Sequence, residues 1–154
     1  MARMAVIGFR CYHSSLAVVV LDGSSADPIL IDHVHVSMPS DARPSQLAWL
    51  RKEVREIVAR VSPELVAYKA PEGSARTRDL GRAEAEGVLQ EAVHSAGIDV
   101  VRRLKTQIRV DIGFAQQARY LENALQNYPA LGDLPANRRD AALAALSALA
   151  IADA

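Results

Sequence analysis

The sequence predicts one α/β domain whose mixed five-stranded sheet has three antiparallel strands, then parallel ones, with helices on both faces. Three apolar segments joined by short turns open the chain, and two further strand patterns each follow a helical pattern. Short turns between strands are typical of an antiparallel meander, whereas strand–helix–strand units imply parallel pairing through crossovers. The 154 residues suit a single domain spanning residues 1–154.

The meander is predicted from three segments near the N-terminus. Met4 to Phe9 is a short apolar run, and Leu16 to Leu21 is a valine-rich run closed by turn residues that begin with Asp22. Valine favours strands because its branched side chain suits the pleated sheet. Ile29 to Val36 alternates between apolar and polar residues, and the alternation slips by one residue near Asp32, which indicates a β-bulge.

The middle of the chain alternates between helices and strands. Apolar residues that recur at steps of three and four predict an amphipathic helix, which Ser62-Pro63 ends; these residues are Leu47, Leu50, Val54, Ile57 and Val61. Leu65 to Tyr68 and Ile98 to Leu104 are predicted strands. Between them, Gly73 to Ala96 is predicted as one long helix, with Gly97 as its C-cap.

The C-terminal third is predicted to contain two helices. Lys105 to Gly113 is interpreted as a loop, and Phe114 to Tyr128 as a helix. Pro129 to Asn137, with its glycine and two prolines, is interpreted as a second loop. Arg138 to Ala152 is rich in alanine and apolar nearly all round, so it is predicted to be a buried helix.

Composition excludes several classes of protein. The chain has 18 basic and 18 acidic residues, so nucleic-acid binding would require local segregation of charge. Cys11 is the single cysteine, and the four histidines do not form a zinc signature. The longest apolar run is far shorter than the roughly 20 residues that span a bilayer. We therefore expect a cytoplasmic protein with no membrane partner.

The element order is the RNase H-like order, and three segments resemble the RuvC Holliday-junction resolvases. Pro63 to Lys69 resembles the family's turn leading into a strand that ends on glutamate. Arg102 to Gly113 resembles its strand and following DNA-facing loop. Leu134 to Ala144 is similar to the family's acidic pattern that opens the last helix. The resemblance covers nearly the whole chain.

The resemblance implies four acidic residues that hold two metal ions, and this chain departs from that pattern. Arg10 stands where the first strand should end on aspartate, and Lys69 stands where the fourth strand should end on glutamate. The last helix offers Asp140, followed by Leu143 in place of a second acid. Neighbouring divalent cations repel one another unless carboxylates neutralise them, and a guanidinium is no ligand. Asp140 is better explained as an acid favoured at a helix N-terminus.

We therefore expect no catalytic residues, no metal ion and no other cofactor. The leading hypothesis is a catalytically inactive RuvC-like protein that binds branched or otherwise structured DNA through phosphate contacts. The basic residues expected to make these contacts are Arg10, Lys69, Arg76, Arg78, Arg103, Lys105 and Arg109.

Two alternatives remain open at this point. The first is an active endonuclease, dependent on magnesium or manganese, with relocated carboxylates drawn from Asp22, Glu72, Asp111 and Asp140. The second is a protein-interaction module that retains only the fold. The resemblance also implies a homodimer through the long helix 73–96, although the second glycine of the family's small-residue pattern comes two residues late, at Gly87.

Overall fold

A computed structural model describes residues 5–72, 79–114 and 120–154. Its centre is one mixed sheet with the strand order β3-β2-β1-β4-β5. The first three strands pair antiparallel, and β1–β4 and β4–β5 pair parallel, so the predicted mixed sheet is confirmed. The strands are β1 (Val6–Cys11), β2 (Ser15–Gly23), β3 (Pro28–Ser37), β4 (Leu65–Lys69) and β5 (Val100–Arg103).

Helices cover both faces of the sheet. They are α1 (Arg43–Val61), α2 (Leu80–Ser95), α3 (Lys105–Ile112) and α4 (Arg139–Asp153). The helices α1 and α2 pack on one face, while α4 packs on the other beside α3. Every residue of α4 from Ala141 to Leu149 is buried, as its apolar composition predicts. In the described ranges, no helix is long and apolar enough to cross a membrane.

Side chains of β1 and β4 alternate between the two layers, because successive residues of a strand point to opposite faces. Val6 packs in the α4 layer, while Ile7 and Phe9 pack in the α1/α2 layer. On β4, Ala67 likewise lies in the α4 layer and Tyr68 in the other. The same alternation assigns Arg10, the residue before the end of β1, and Lys69, the last residue of β4, to the α4 side.

The bulge predicted near Asp32 is present. Val20 pairs with Asp32 and Leu21 pairs with Leu30, so Ile31 is the extra residue on β3. Strand boundaries differ from the prediction by about two residues at the N-terminus, since β1 runs on to Cys11. The helix α1 begins at Arg43, four residues before the predicted start, because Pro44 is tolerated in a first helical turn.

The predicted loop from Lys105 to Gly113 is wrong, because this segment forms α3. The side chain of Gln107 accepts a hydrogen bond from the backbone N–H of Leu104, which caps the first turn. Gly113 ends the helix with a φ of 67°. Ile108 alone is buried, so the segment lacks the apolar periodicity that identifies longer helices.

The predicted helix from Phe114 to Tyr128 is also wrong where the structure describes it. Residues 115–119 lie outside the described residues, and Leu121–Asn127 forms a 3₁₀ helix. The predicted loop that follows contains a short 3₁₀ turn at Ala136–Arg138. The predicted helix 73–96 is described from Leu80 onward, and residues 73–78 lie outside the description.

Candidate nucleic-acid interface

Three basic residues lie side by side near the carboxyl ends of three neighbouring strands. Lys69 pairs in register with Arg103 across β4 and β5, and the β1–β4 register places Arg10 next to Lys69. All three side chains extend toward the α4 side of the sheet, as the alternation along each strand requires. Like charges at this spacing repel, so each needs a nearby acid or a solvent path.

Arg10 reaches from β1 to the first turn of α4. Its Nη1 donates to Oδ2 of Asp140 at 2.8 Å, and its guanidinium lies 4.6 Å from the centre of the Tyr12 ring. The Arg10 side chain is 18% exposed. The acid expected at the helix N-terminus is therefore also an ion-pair partner for a residue 130 positions away.

Lys69 is almost fully buried, with 3% of its side chain exposed. Its Nζ donates to the carbonyl oxygen of Ala70 at 2.9 Å and lies 3.7 Å from Oε1 of Glu72. Burial lowers the pKa of the Lys69 ammonium, while the carboxylates of Asp140 and Glu72 act in the opposite direction. The ammonium is thus held by an acid already present in the protein.

Arg103 completes the row and contacts an acid on α3. Its Nε lies 3.4 Å from Oδ2 of Asp111 on α3, and Asp111 also accepts a short hydrogen bond from the Ser147 hydroxyl on α4. Arg103 does not line the cavity described next. The phosphate contact expected of Arg103 stays a prediction. In the structure, its contact with Asp111, which also binds Ser147, links β5 to α3 and α4.

A cavity of about 540 Å³ opens beside the ends of β1 and β4. Seven of the residues considered from the sequence line it: Arg10, Lys69, Glu72, Lys105, Arg109, Asp140 and Leu143. The structure thus brings together side chains from two strands and two helices that are far apart in the sequence. Such a concave, polar site at the carboxyl ends of parallel strands is where open α/β sheets bind ligands.

The helix α3 contributes two further cations to the lining of this cavity. Lys105 is exposed, and its backbone N–H donates to Oε1 of Glu72 at 2.8 Å. The Arg109 guanidinium lies 5.5 Å from the centre of the Phe114 ring. Helical spacing places Lys105 and Arg109 four residues apart on one side of α3.

Arg82 also lines the cavity, and its ion pair with Glu86 was not predicted from the sequence. Its Nη2 donates to the carbonyl oxygen of Lys69 at 2.6 Å, and its Nε lies 3.3 Å from Oε2 of Glu86. Both side chains of this ion pair are about nine-tenths buried. Burial raises the pKa of Glu86, and the Arg82 guanidinium opposes that shift. The pair anchors the end of β4 to α2.

No protein-family model matches this sequence, and no curated protein matches it either. Solved structures do match. RuvC from Thermus thermophilus aligns with a TM-score of 0.80 and 19% identity, over 97% of this chain and 96% of that one. A second structure, T. thermophilus RuvC in complex with a Holliday junction substrate, has the same TM-score and identity over 98% and 96% of the chains.

The yeast mitochondrial Holliday junction resolvase Ydc2 aligns with a TM-score of 0.68 and 11% identity, covering 97% of this chain and 79% of that one. The chain has the RuvC fold. At these identities the likeness concerns the fold, which confirms the RNase H-like architecture predicted from the sequence.

The residues at the strand ends do not fit the pair of divalent metal ions that the RuvC resemblance implies. Arg10 donates a hydrogen bond to one carboxylate oxygen of Asp140, and the Lys69 ammonium lies beside Glu72. Among the described residues, no group of three or more histidine, cysteine, aspartate or glutamate side chains is placed to hold a metal ion. Two divalent cations would therefore meet fixed positive charges without a sufficient set of carboxylates.

Two of the predicted contact residues, Arg76 and Arg78, lie outside the described residues. Conversely, the cavity wall includes aromatic side chains that the sequence did not single out, Tyr12 and Tyr120. Tyr12 could have been found from the strand pattern, because it comes two residues after Arg10 and directly after the end of β1. Tyr120 carries no such signal, since it reaches the cavity through the packing of a 3₁₀ segment against α4.

Proposed function

We propose that this chain binds branched or otherwise structured DNA through its phosphates and does not cleave it. The observation that carries the proposal is the replacement of carboxylates by Arg10 and Lys69 at two neighbouring strand ends of a RuvC fold. DNA as the partner is supported by the Thermus thermophilus RuvC structure in complex with a Holliday junction substrate.

The geometry favours Lys105 and Arg109 as the first residues to meet a phosphate. Both lie on α3 at the cavity, and within the described residues Lys105 forms no ion pair with an acid. Arg10 and Lys69 already face acids, so a phosphate would have to compete with Asp140 and Glu72 for them. We therefore expect weak binding that depends strongly on salt.

The test is fluorescence anisotropy with a four-way junction, a duplex and a single strand at several salt concentrations. The double variant Lys105→Ala, Arg109→Ala should weaken binding and flatten the slope of log affinity against log salt by about two units on duplex. The matched control is Lys52→Ala, Arg60→Ala, which removes the same charge from exposed positions of α1. An unchanged affinity and slope in the first variant would show that the assigned surface is wrong.

The lack of cleavage is tested on the same DNA molecules with excess manganese. We expect no product above a mock purification. Of the carboxylates considered for a relocated metal site, Glu72 and Asp140 line the cavity, whereas Asp22 lies at a different pocket and Asp111 binds Ser147. Cutting that Glu72→Gln or Asp140→Asn abolishes would establish the nuclease alternative instead.

The proposal includes a homodimer through α2. Leu80, Ala83 and Gly87 lie on one exposed side of this helix, and a Cβ added at Gly87 would meet no atom within 4 Å. Small residues permit close helix approach, so sedimentation analysis should give a dimer that Gly87→Arg disrupts. A monomer at all accessible concentrations would contradict this part. A dimer that binds none of the three DNA forms would favour the protein-interaction alternative.

A further inference from the structure

The cavity contains acids that a site for phosphate alone would not have. Glu122 and Asp79 line it together with the cations described above. Asp79 is engaged as the N-cap of α2, where it accepts the backbone N–H of Arg82. Glu122 is exposed, and in the part of the chain that the structure describes no hydrogen bond or ion pair engages its carboxylate. The Glu122 carboxylate would repel a phosphate. The cavity therefore fits a ligand that carries a hydrogen-bond donor as well as a phosphate.

An aromatic side chain lines the same cavity as this carboxylate. Tyr120 lines the cavity two residues before Glu122, and 52% of its surface is exposed. Tyr12, the other aromatic residue of the wall, is less exposed than Tyr120, and the Arg10 guanidinium lies over its ring. Exposed tyrosine rings beside cationic grooves are the platforms on which unpaired bases stack.

We infer that the cavity accommodates one unpaired nucleotide of the bound DNA. Its base stacks on Tyr120, an exocyclic amino group donates to Glu122, and its phosphate meets Lys105. Carboxylates accept hydrogen bonds from base amino groups, so adenine, cytosine and guanine are favoured over thymine. The volume of about 540 Å³ lies within the range of small-ligand pockets. This inference rests on the proposed binding of DNA.

Structured DNA supplies such a nucleotide at low cost. A base that is already unpaired at a bulge or branch point needs little energy to leave the stack, whereas a base within a duplex must first lose its pair. The cavity would thus distinguish DNA with an unpaired nucleotide from a perfect duplex, while the phosphate contacts would be shared by both. Tyr120 and Glu122 would then provide the preference for structured DNA. The basic residues of α3 would provide most of the overall affinity.

The test compares a duplex with a single-adenine bulge and the same duplex with a tetrahydrofuran abasic residue at the bulge, which keeps the phosphate and removes the base. The full chain should bind the abasic DNA about tenfold more weakly. Tyr120→Ala should abolish this difference, whereas Tyr120→Phe should preserve it because the ring remains. Glu122→Gln should reduce the preference for an adenine over a thymine bulge, and Glu56→Gln on α1 should leave it unchanged.

The outcomes separate this inference from the proposed function. Equal binding of intact and abasic bulges, with salt-dependent affinity for both, would overturn the nucleotide site and leave DNA binding intact. No binding of either DNA would overturn the proposed function itself. A third arm uses free deoxyadenosine monophosphate as competitor. If deoxyadenosine monophosphate displaces the bulged DNA at a concentration lower than that of the DNA, the cavity is a site for a free nucleotide. That result would overturn the assignment to DNA.

Discussion

The two faces of the sheet are covered by helices that pack in different ways. On one face, α4 lies so close to β1 that a Cβ on Gly8 would fall 2.0 Å from the carbonyl oxygen of Ala141 and 2.4 Å from the backbone nitrogen of Ala145. On the other face, α1 and α2 present larger side chains to the sheet. There the two helices are joined by exposed ion pairs, such as Arg51 with Glu91 at 2.6 Å.

This difference in packing explains how each face of the sheet contributes to the site. Close packing of α4 holds Asp140 at a fixed distance from β1, so the ion pair with Arg10 depends on backbone contact. The α1/α2 layer contributes through one long side chain, Arg82, which reaches the carbonyl oxygen of Lys69. We therefore expect the site to be more sensitive to small changes under α4 than to changes in the bridges between α1 and α2.

The largest effect is expected from Gly8→Ala. The added methyl group would overlap backbone atoms of α4, which cannot move without displacing the whole buried helix. We expect a loss of at least about 3 kcal/mol in the free energy of unfolding, measured by urea denaturation.

Gly132→Ala is the matched control, because it lies outside both α4 and the proposed dimer surface. The nearest atom to a Cβ there would be the side-chain oxygen of Gln126 at 3.4 Å, so the free energy of unfolding should change by less than about 1 kcal/mol. A Gly8→Ala protein as stable as the parent would show that the faces do not differ as described.

Arg82→Ala is expected to lower the free energy of unfolding by about 3 kcal/mol, because it leaves the buried Glu86 carboxylate without its partner. Arg51→Ala removes an ion pair whose side chains are about half exposed, and should cost less than about 1 kcal/mol. Parallel urea titrations measure both variants. Equal losses would mean that burial does not distinguish these two ion pairs.

A smaller effect than that of Arg82→Ala is expected at the start of α2, where Asp79→Ala removes the N-cap at a cost of about 1 kcal/mol, while Asp79→Asn retains a capping oxygen. The hydrogen bond from the backbone of Arg82 lowers the pKa of Asp79 from its ordinary value of 3.8. The folded state therefore binds fewer protons than the unfolded state below that value.

The stabilisation by ionised Asp79 should consequently be complete above pH 3.8 and disappear as the pH falls through the lower, folded-state pKa. Thermal unfolding of the parent and Asp79→Ala over this range measures it. A stability difference between the two proteins that stays constant down to the lowest pH would exclude a role for the charged carboxylate.

Local patterns predicted the strands and the two main helices because burial leaves a regular trace in the sequence. The three- and four-residue spacing from Leu47 to Val61 identified α1, and the alternation before Val36 identified β3 with its bulge. The segment from Lys105 to Ile112 has no such spacing, because α3 is short and buries Ile108 alone. Its helical state depends on caps and on packing against α4, which spacing does not record.

Patterns along the chain establish the order of the elements, the buried character of α4, and the positions of Arg10 and Lys69 near two strand ends. The groups that face those cations depend instead on the packing of the whole chain. Arg10 meets an acid 130 residues away, Lys69 is buried beside Glu72, and Tyr120 reaches the same cavity. The reason is physical: periodicity reports which face of an element is buried, whereas an ion pair depends on distances set by the packing of all the elements together.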